Sequence, residues 1–165
     1  MRVNLTADDD AVSLLVQNGF NQSLPTTIIV HGFGHDITDP LFDSVAGGTR
    51  RRQFIYSQIT HFVRILFIII SLLALIKSGV RTNVLGVDWG VLCPKPLYLT
   101  ARYRVSDVAR RVAALVQFLV DRGLGRFDDV HLIGHSLGAH VVGSAGKLAK
   151  VARITGIEVQ TAAPT

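Results

Sequence analysis

Apolar positions along this chain follow two rhythms, short β-branched runs and one long helical stripe, and the runs and helices alternate. The first run, Thr26-Thr27-Ile28-Ile29-Val30, follows Pro25 and stops at His31-Gly32-Phe33-Gly34. It predicts a buried strand ending in a glycine-rich loop. Asn83-Val84-Leu85-Gly86-Val87-Asp88 repeats the design, a second strand closing on Asp88-Trp89-Gly90. Then comes the helical stripe. Val108, Val112, Leu115, Val116, Leu119 and Val120 fall at i, i+4, i+7, i+8, i+11 and i+12, one face of a 3.6-residue repeat. Ser106 is the expected N-cap, Asp107 suits the first turn and Gly123 the C′ position, while Arg110, Arg111 and Asp121 lie mostly off the stripe.

After a turn at Gly125 to Asp129, Val130-His131-Leu132-Ile133 predicts a third strand. It runs straight into Gly134-His135-Ser136-Leu137-Gly138 and a small-residue helix through Lys150, and Arg153-Ile154-Thr155-Gly156-Ile157 is the fourth strand. Strands alternating with helices imply an α/β class, a parallel sheet covered by helices. One segment stands apart: Ile65 to Ile76 is twelve residues without a charge, bracketed by Arg64 and Lys77. A membrane span needs about 20 apolar residues, so a buried helix is the expected form. Being apolar on every side, such a helix needs cover on every side.

The candidate chemistry sits at Ser136. A Gly-x-Ser-x-Gly pattern between a predicted strand and a predicted helix is the setting of a nucleophile elbow. A serine there projects from a sharp, strained turn with its Oγ clear of the sheet. Gly134 and Gly138 remove the side chains that would collide with the neighbouring strand and helix. The residue after the serine begins a helix, so its N–H is free to face developing negative charge. The alternative is a glycine-rich turn with an idle serine.

Charge changes this picture little. The chain of 165 residues, enough for one domain, carries 17 Lys+Arg against 12 Asp+Glu, a formal +5, with clusters at Arg50-Arg51-Arg52 and Arg110-Arg111. No long basic stripe with interleaved aromatics is present, so no nucleic-acid partner is expected; a solvated basic surface is the expected reading, with a weak attraction to anionic lipid as its alternative. The single cysteine, Cys93, forms no intrachain disulfide, which fits a cytosolic protein or an incomplete secreted one. Residues Met1 to Leu5 lack a signal-peptide core, whereas the sequons Asn4-Leu5-Thr6 and Asn21-Gln22-Ser23 lean toward secretion.

The stretch Val130 through Lys147, Val-His-Leu-Ile-Gly-His-Ser-Leu-Gly-Ala-His-Val-Val-Gly-Ser-Ala-Gly-Lys, closely resembles the nucleophile region of the pancreatic-lipase family. That family holds triacylglycerol lipases, lipoprotein lipases, phospholipases A1 and the non-catalytic insect yolk proteins. Ile28-Ile29-Val30-His31-Gly32-Phe33, Asn83-Val84-Leu85-Gly86-Val87-Asp88-Trp89 and Arg153-Ile154-Thr155-Gly156 match in the same order, so the resemblance covers about residues 20–45 and 80–158. It implies an α/β-hydrolase fold, the N-terminal part of a mostly parallel sheet with helices on both faces. It implies Ser136 as nucleophile, the backbone N–H groups of Phe33 and Leu137 as oxyanion hole, and Gly32, Gly134 and Gly138 as motif glycines. It implies no cofactor and no metal, a lipid ester substrate at a lipid–water interface, and an extracellular setting. His31 reads as a loop histidine tied to backbone rather than a base, and Asp88-Trp89 as a structural landmark.

The chain also departs from that family. Its acid position, in a Leu-Asp-Pro of the family, holds Ile157-Glu158-Val159, which makes Glu158 the candidate acid, or else a surface carboxylate. The hydrolase order is serine, acid, histidine, and the seven residues after Glu158 contain no histidine. Of the histidines present, His131 lies roughly 16 Å up the strand from Ser136, and His135 and His140 have no base role in the family's nucleophile motif. The stretch from Phe33 to Asn83 exceeds the family pattern. The expectation is therefore a truncated lipase domain over residues 1–165, with residues 50–76 a foreign insertion, inactive without its histidine. The competing reading is a non-catalytic, yolk-protein-like relative that binds lipid or a partner. Lipid class, chain length and oligomeric state are not legible.

Overall fold

A computed structural model describes residues 8–34, 81–93 and 97–157. Among these residues four strands form one sheet: β1 (Thr26–Val30), β2 (Asn83–Val87), β3 (Val130–His135) and β4 (Arg153–Ile157). Their spatial order is β2-β1-β3-β4 and every pairing is parallel. With β2 on one side and β3 on the other, β1 is buried at all five positions, which explains its unbroken run of Thr, Ile and Val. The α/β class expected from the alternation is what the chain forms.

Among the described residues three helices accompany the sheet: α1 (Asp8–Gln17), α2 (Tyr98–Asp121) and α3 (Leu137–Ala149). The crossover from β2 to β3 is α2, and that from β3 to β4 is α3. Both pack over the sheet face that carries Ile28, Val30, Val130 and Leu132, alternate residues sharing one side of their strands. Val108, Val112, Val116 and Leu119 of α2 join Val141, Val142 and Ala145 of α3 in that core. Small residues bring α3 close to the sheet. A Cβ on Gly146 would run into the side chain of Ile154, and one on Gly156 would lie 3.3 Å from that of Ala139.

The helix α2 begins eight residues ahead of the Ser106 cap expected from sequence. Leu97 occupies the N-cap, with no side-chain capping bond, and Ser106 and Asp107 lie inside the helix. Tyr98, Ala101 and Val105 extend the apolar stripe upstream at spacings of three, four and three to Val108, and Ala101 is fully buried. Asp107 is accommodated by ion pairs with Arg104, at 3.4 Å, and with Arg110, one helical turn to either side. The other end follows the expectation: Gly123 adopts φ +66°, the left-handed geometry of a C′ residue.

The buried polar residue Asn83 ties the start of β2 to the approach to β1. It accepts from the Asn21 backbone N–H at 2.9 Å and donates to the carbonyls of Asn21 and Leu24 at 2.9 and 3.2 Å. Its amide is thus satisfied away from water, as a buried polar group requires. Among the described residues, no helix is long and apolar enough to cross a membrane. Residues 50–76, including the apolar run at 65–76, lie outside the described residues, as do His35, His61 and Glu158.

Candidate active site

Ser136 stands between the end of β3 and the first residue of α3, with φ 52° and ψ −119°. This backbone geometry is sterically unfavourable for a residue with a Cβ and costs on the order of 1–3 kcal/mol. Surrounding contacts hold it there. The Ser136 N–H donates to the Ile157 carbonyl at 2.8 Å, and the Ser136 carbonyl accepts from Ala139 N–H at 2.9 Å. A Cβ on Gly134 would collide with the backbone of Gly138 and Ala139, and one on Gly138 with the carbonyls of Val30 and His31. The two glycines flanking the serine are therefore required by backbone contacts, for the reason the sequence pattern suggests.

The loop after β1 closes on this turn. At Gly32 a Cβ would lie 3.0 Å from the Ser136 Cβ and 3.0 Å from the His135 carbonyl oxygen. Only a residue without a side chain lets that loop come so near. Phe33 follows directly, and Leu137 is the first residue of α3, whose leading N–H groups have no carbonyl to bond within the helix. Ser136, Gly32, Phe33 and Leu137, four residues singled out in the sequence, thus fall at one end of the sheet.

That loop is held by the segment following β2, a role the sequence did not disclose. His31 is fully buried; its Nδ1 lies 2.9 Å from the Gly32 carbonyl oxygen, and its Nε2 accepts from the Trp89 backbone N–H at 3.1 Å. A carbonyl can only accept and an amide N–H only donate, so these two contacts are those of a ring whose proton sits on Nδ1. The Trp89 indole N–H donates to the His31 carbonyl at 2.9 Å and the two rings stack with centroids 5.7 Å apart. The Asp88 carboxylate, 3.6 Å from Nε2, accepts from the Gly90 N–H at 3.1 Å. Further along, the Phe33 ring meets Tyr98 edge-on at 5.3 Å. Burial, the largest effect, raises the pKa of the Cys93 thiol; a hydrogen bond with the Gly34 backbone lowers it, and the charge of Asp88 raises it. His31 is tied to backbone as expected, and Asp88-Trp89 is the clamp that ties it.

Among the described residues three further histidines are His131 and His135 on β3 and His140 on α3. His131 sits on β3 with Nε2 2.8 Å from the Thr155 hydroxyl of β4, and its pKa is lowered from 6.5 to about 4. Desolvation is the main cause and the nearby Arg153 charge the second. His140 is exposed on α3. Among the described residues no cluster of His, Cys, Asp or Glu could hold a metal ion.

Comparison with known sequences adds a family to this strained strand-to-helix geometry. The family model described as Lipase matches residues 4–164. The chain belongs to the lipase family. Hepatic triacylglycerol lipase of Oryctolagus cuniculus is 35% identical over 149 residues, 87% of this chain and 25% of that protein. Phospholipase A1 member A of Rattus norvegicus is 31% identical over 141 residues, 84% of this chain and 25% of that protein. Lipoprotein lipase of Gallus gallus is 38% identical over 87 residues, 52% of this chain and 18% of that protein. Against the first of these lipases, and against the phospholipase, the chain spans about a quarter of the relative's length.

Proposed function

We propose that these residues are the nucleophile-bearing part of a lipid carboxylic-ester hydrolase, of the triacylglycerol lipase or phospholipase A1 type, working outside the cell. The observation that carries this reading is Ser136 at φ 52°, with the Gly32 backbone against its Cβ. Strained backbone of this kind clusters at active sites. In the proposed reaction Ser136 Oγ attacks the ester carbonyl carbon while its proton passes to a base. The resulting oxyanion accepts from the N–H groups of Phe33 and Leu137. The carbon–oxygen bond to the alcohol breaks as the alcohol oxygen takes the proton, leaving an acyl-serine. Water then attacks the acyl carbon and releases the carboxylic acid and Ser136. Each oxyanion donor of this kind is typically worth about 10²–10³ in turnover.

Glu158 is the proposed acid, and the base is a histidine beyond it in a longer natural form. His31 and His131 are committed to structural hydrogen bonds, which supports a base from elsewhere. The same observation is what favours the second reading, a non-catalytic relative that binds lipid. Hydrolysis of a long-chain ester emulsion by the longest natural product containing these residues separates the two. Ser136→Ala is expected to lower turnover by about 10⁶ with the fold intact. Hydrolysis unaffected by the substitution would remove Ser136 as the nucleophile, and no hydrolysis by a form that carries the downstream histidine would leave the binding role.

A further inference from the structure

The start of α2 and the turn before it expose apolar and basic side chains that the ester chemistry does not use. Val91, Leu97, Tyr98, Leu99 and Tyr103 are all exposed, Val91 at 89% and Tyr103 at 80%. Single exposed apolar residues are ordinary, but Leu99 and Tyr103 lie one turn apart on the same side of α2 and make an apolar patch there. Arg102, Arg104, Arg110 and Arg111 are exposed among and just beyond them, and Asp107 is the single acid from Tyr98 to Val120. Four guanidiniums against one carboxylate, which pairs with Arg104 and Arg110, leave this end of α2 net positive.

Helical geometry sorts these residues. At 100° per residue, Leu99, Tyr103 and Arg110 run down the outer face, opposite the buried Ala101, Val108 and Val112. Arg102 lies to one side of that line, Arg104 and Arg111 to the other. A groove of about 360 Å³ runs along the second side, lined by Leu92, Arg104, Asp107, Arg110, Arg111 and Ala114. The patch also begins at the candidate site, since Tyr98 is the residue whose ring meets Phe33.

We propose that this outer face of α2 is an anchor for an anionic phospholipid surface. The arginines reach lipid phosphates, where a guanidinium donates two parallel hydrogen bonds while its stem lies along apolar surface. Tyr103 and Leu99 enter the headgroup layer, the level at which amphipathic rings settle. The groove between Leu92 and α2 seats one phosphate headgroup beside Arg104, Arg110 and Arg111, which outnumber the one carboxylate lining it, that of Asp107. Charge complementarity selects the occupant, and the exposed Val91, Leu97 and Leu99 favour a lipid surface over a soluble polyanion, which would leave them in water. Only the purpose of the anchor, bringing Phe33 and Ser136 against lipid, rests on the hydrolase reading. Its binding does not.

Sedimentation with vesicles of phosphatidylcholine alone, and of phosphatidylcholine mixed with phosphatidylglycerol, tests the anchor on this chain. Binding to the mixed vesicles is expected to be the stronger and to weaken with added salt. A basic residue near an anionic surface contributes about fivefold, so Arg110→Gln with Arg111→Gln lowers partition to mixed vesicles about 30-fold and to phosphatidylcholine little. Leu99→Ser with Tyr103→Ser lowers partition to both. All four positions are exposed, and circular dichroism verifies that each variant keeps the wild-type fold. Equal binding to the two vesicle types, unchanged partition in both variants, or retention on a soluble sulfated polyanion without vesicle binding would overturn the anchor. Vesicle binding is read without any reaction at Ser136, so failure to hydrolyse esters would leave this result standing.

Discussion

At Ser136 and His131 the protein holds side chains in states that free amino acids avoid. Ser136 keeps a positive φ because hydrogen bonds on both sides, to Ile157 and Ala139, fix the turn around it. His131 is kept neutral by burial against Thr155. An unfolded chain protonates this histidine near pH 6.5, whereas the folded chain does so only near pH 4. The unfolded state therefore binds more protons between those values, and stability falls as pH drops from about 6.5 toward 4. Arg153, level with His131 in the sheet, adds to the effect by repelling the proton. Denaturant titrations across that range should show a shallower loss in His131→Gln, which cannot protonate. An identical slope in wild type and variant would remove His131 from the account.

Elements were legible where a single period ran uninterrupted, and misread where charge or shortness disguised it. β1 and β4 fall at the bounds the residue pattern predicts, because β-branched runs between turn residues leave few alternatives. The start of α2 was hidden by Arg102 and Arg104, which interrupt the apolar stripe although they point outward, and by Ser106, a good cap that here lies mid-helix. The helix α1 was not anticipated at all. Its buried residues, Ala11 and Leu15, are one pair at i and i+4, too little for a period to show. Glycine roles in α3 can be checked element against element. Gly138→Ala pushes a methyl into the carbonyls of Val30 and His31 and should cost about 3 kcal/mol, the upper end for overpacking. Gly143→Ala meets nothing within 4 Å and should stabilise the helix by about 1 kcal/mol. Thermal unfolding of both variants tests this; similar melting temperatures would mean that α3 does not lie on β1 as described.

Across the whole molecule, a parallel sheet gathers at its C-terminal strand ends what the sequence scatters over a hundred residues. The serine and its two glycines were legible because the Gly-x-Ser-x-Gly pattern is local. The clamp of Trp89, Cys93 and Tyr98 on the loop from His31 to Gly34 was not, because its partners come from opposite sides of residues 35–80 and no pattern links them. Glu158, the candidate acid, lies outside the described residues, so its part rests on the order of the motif alone. The claim that joins these parts is that Ser136 is a reactive nucleophile. A fluorophosphonate reports on it directly, because an activated Oγ displaces fluoride at phosphorus while neighbouring amides hold the phosphoryl oxygen. Peptide mapping of the labelled full-length product should place the adduct on Ser136, and Ser136→Ala should abolish it without unfolding the protein. An adduct on another serine such as Ser144, or none in a product that carries the downstream histidine, would contradict the account.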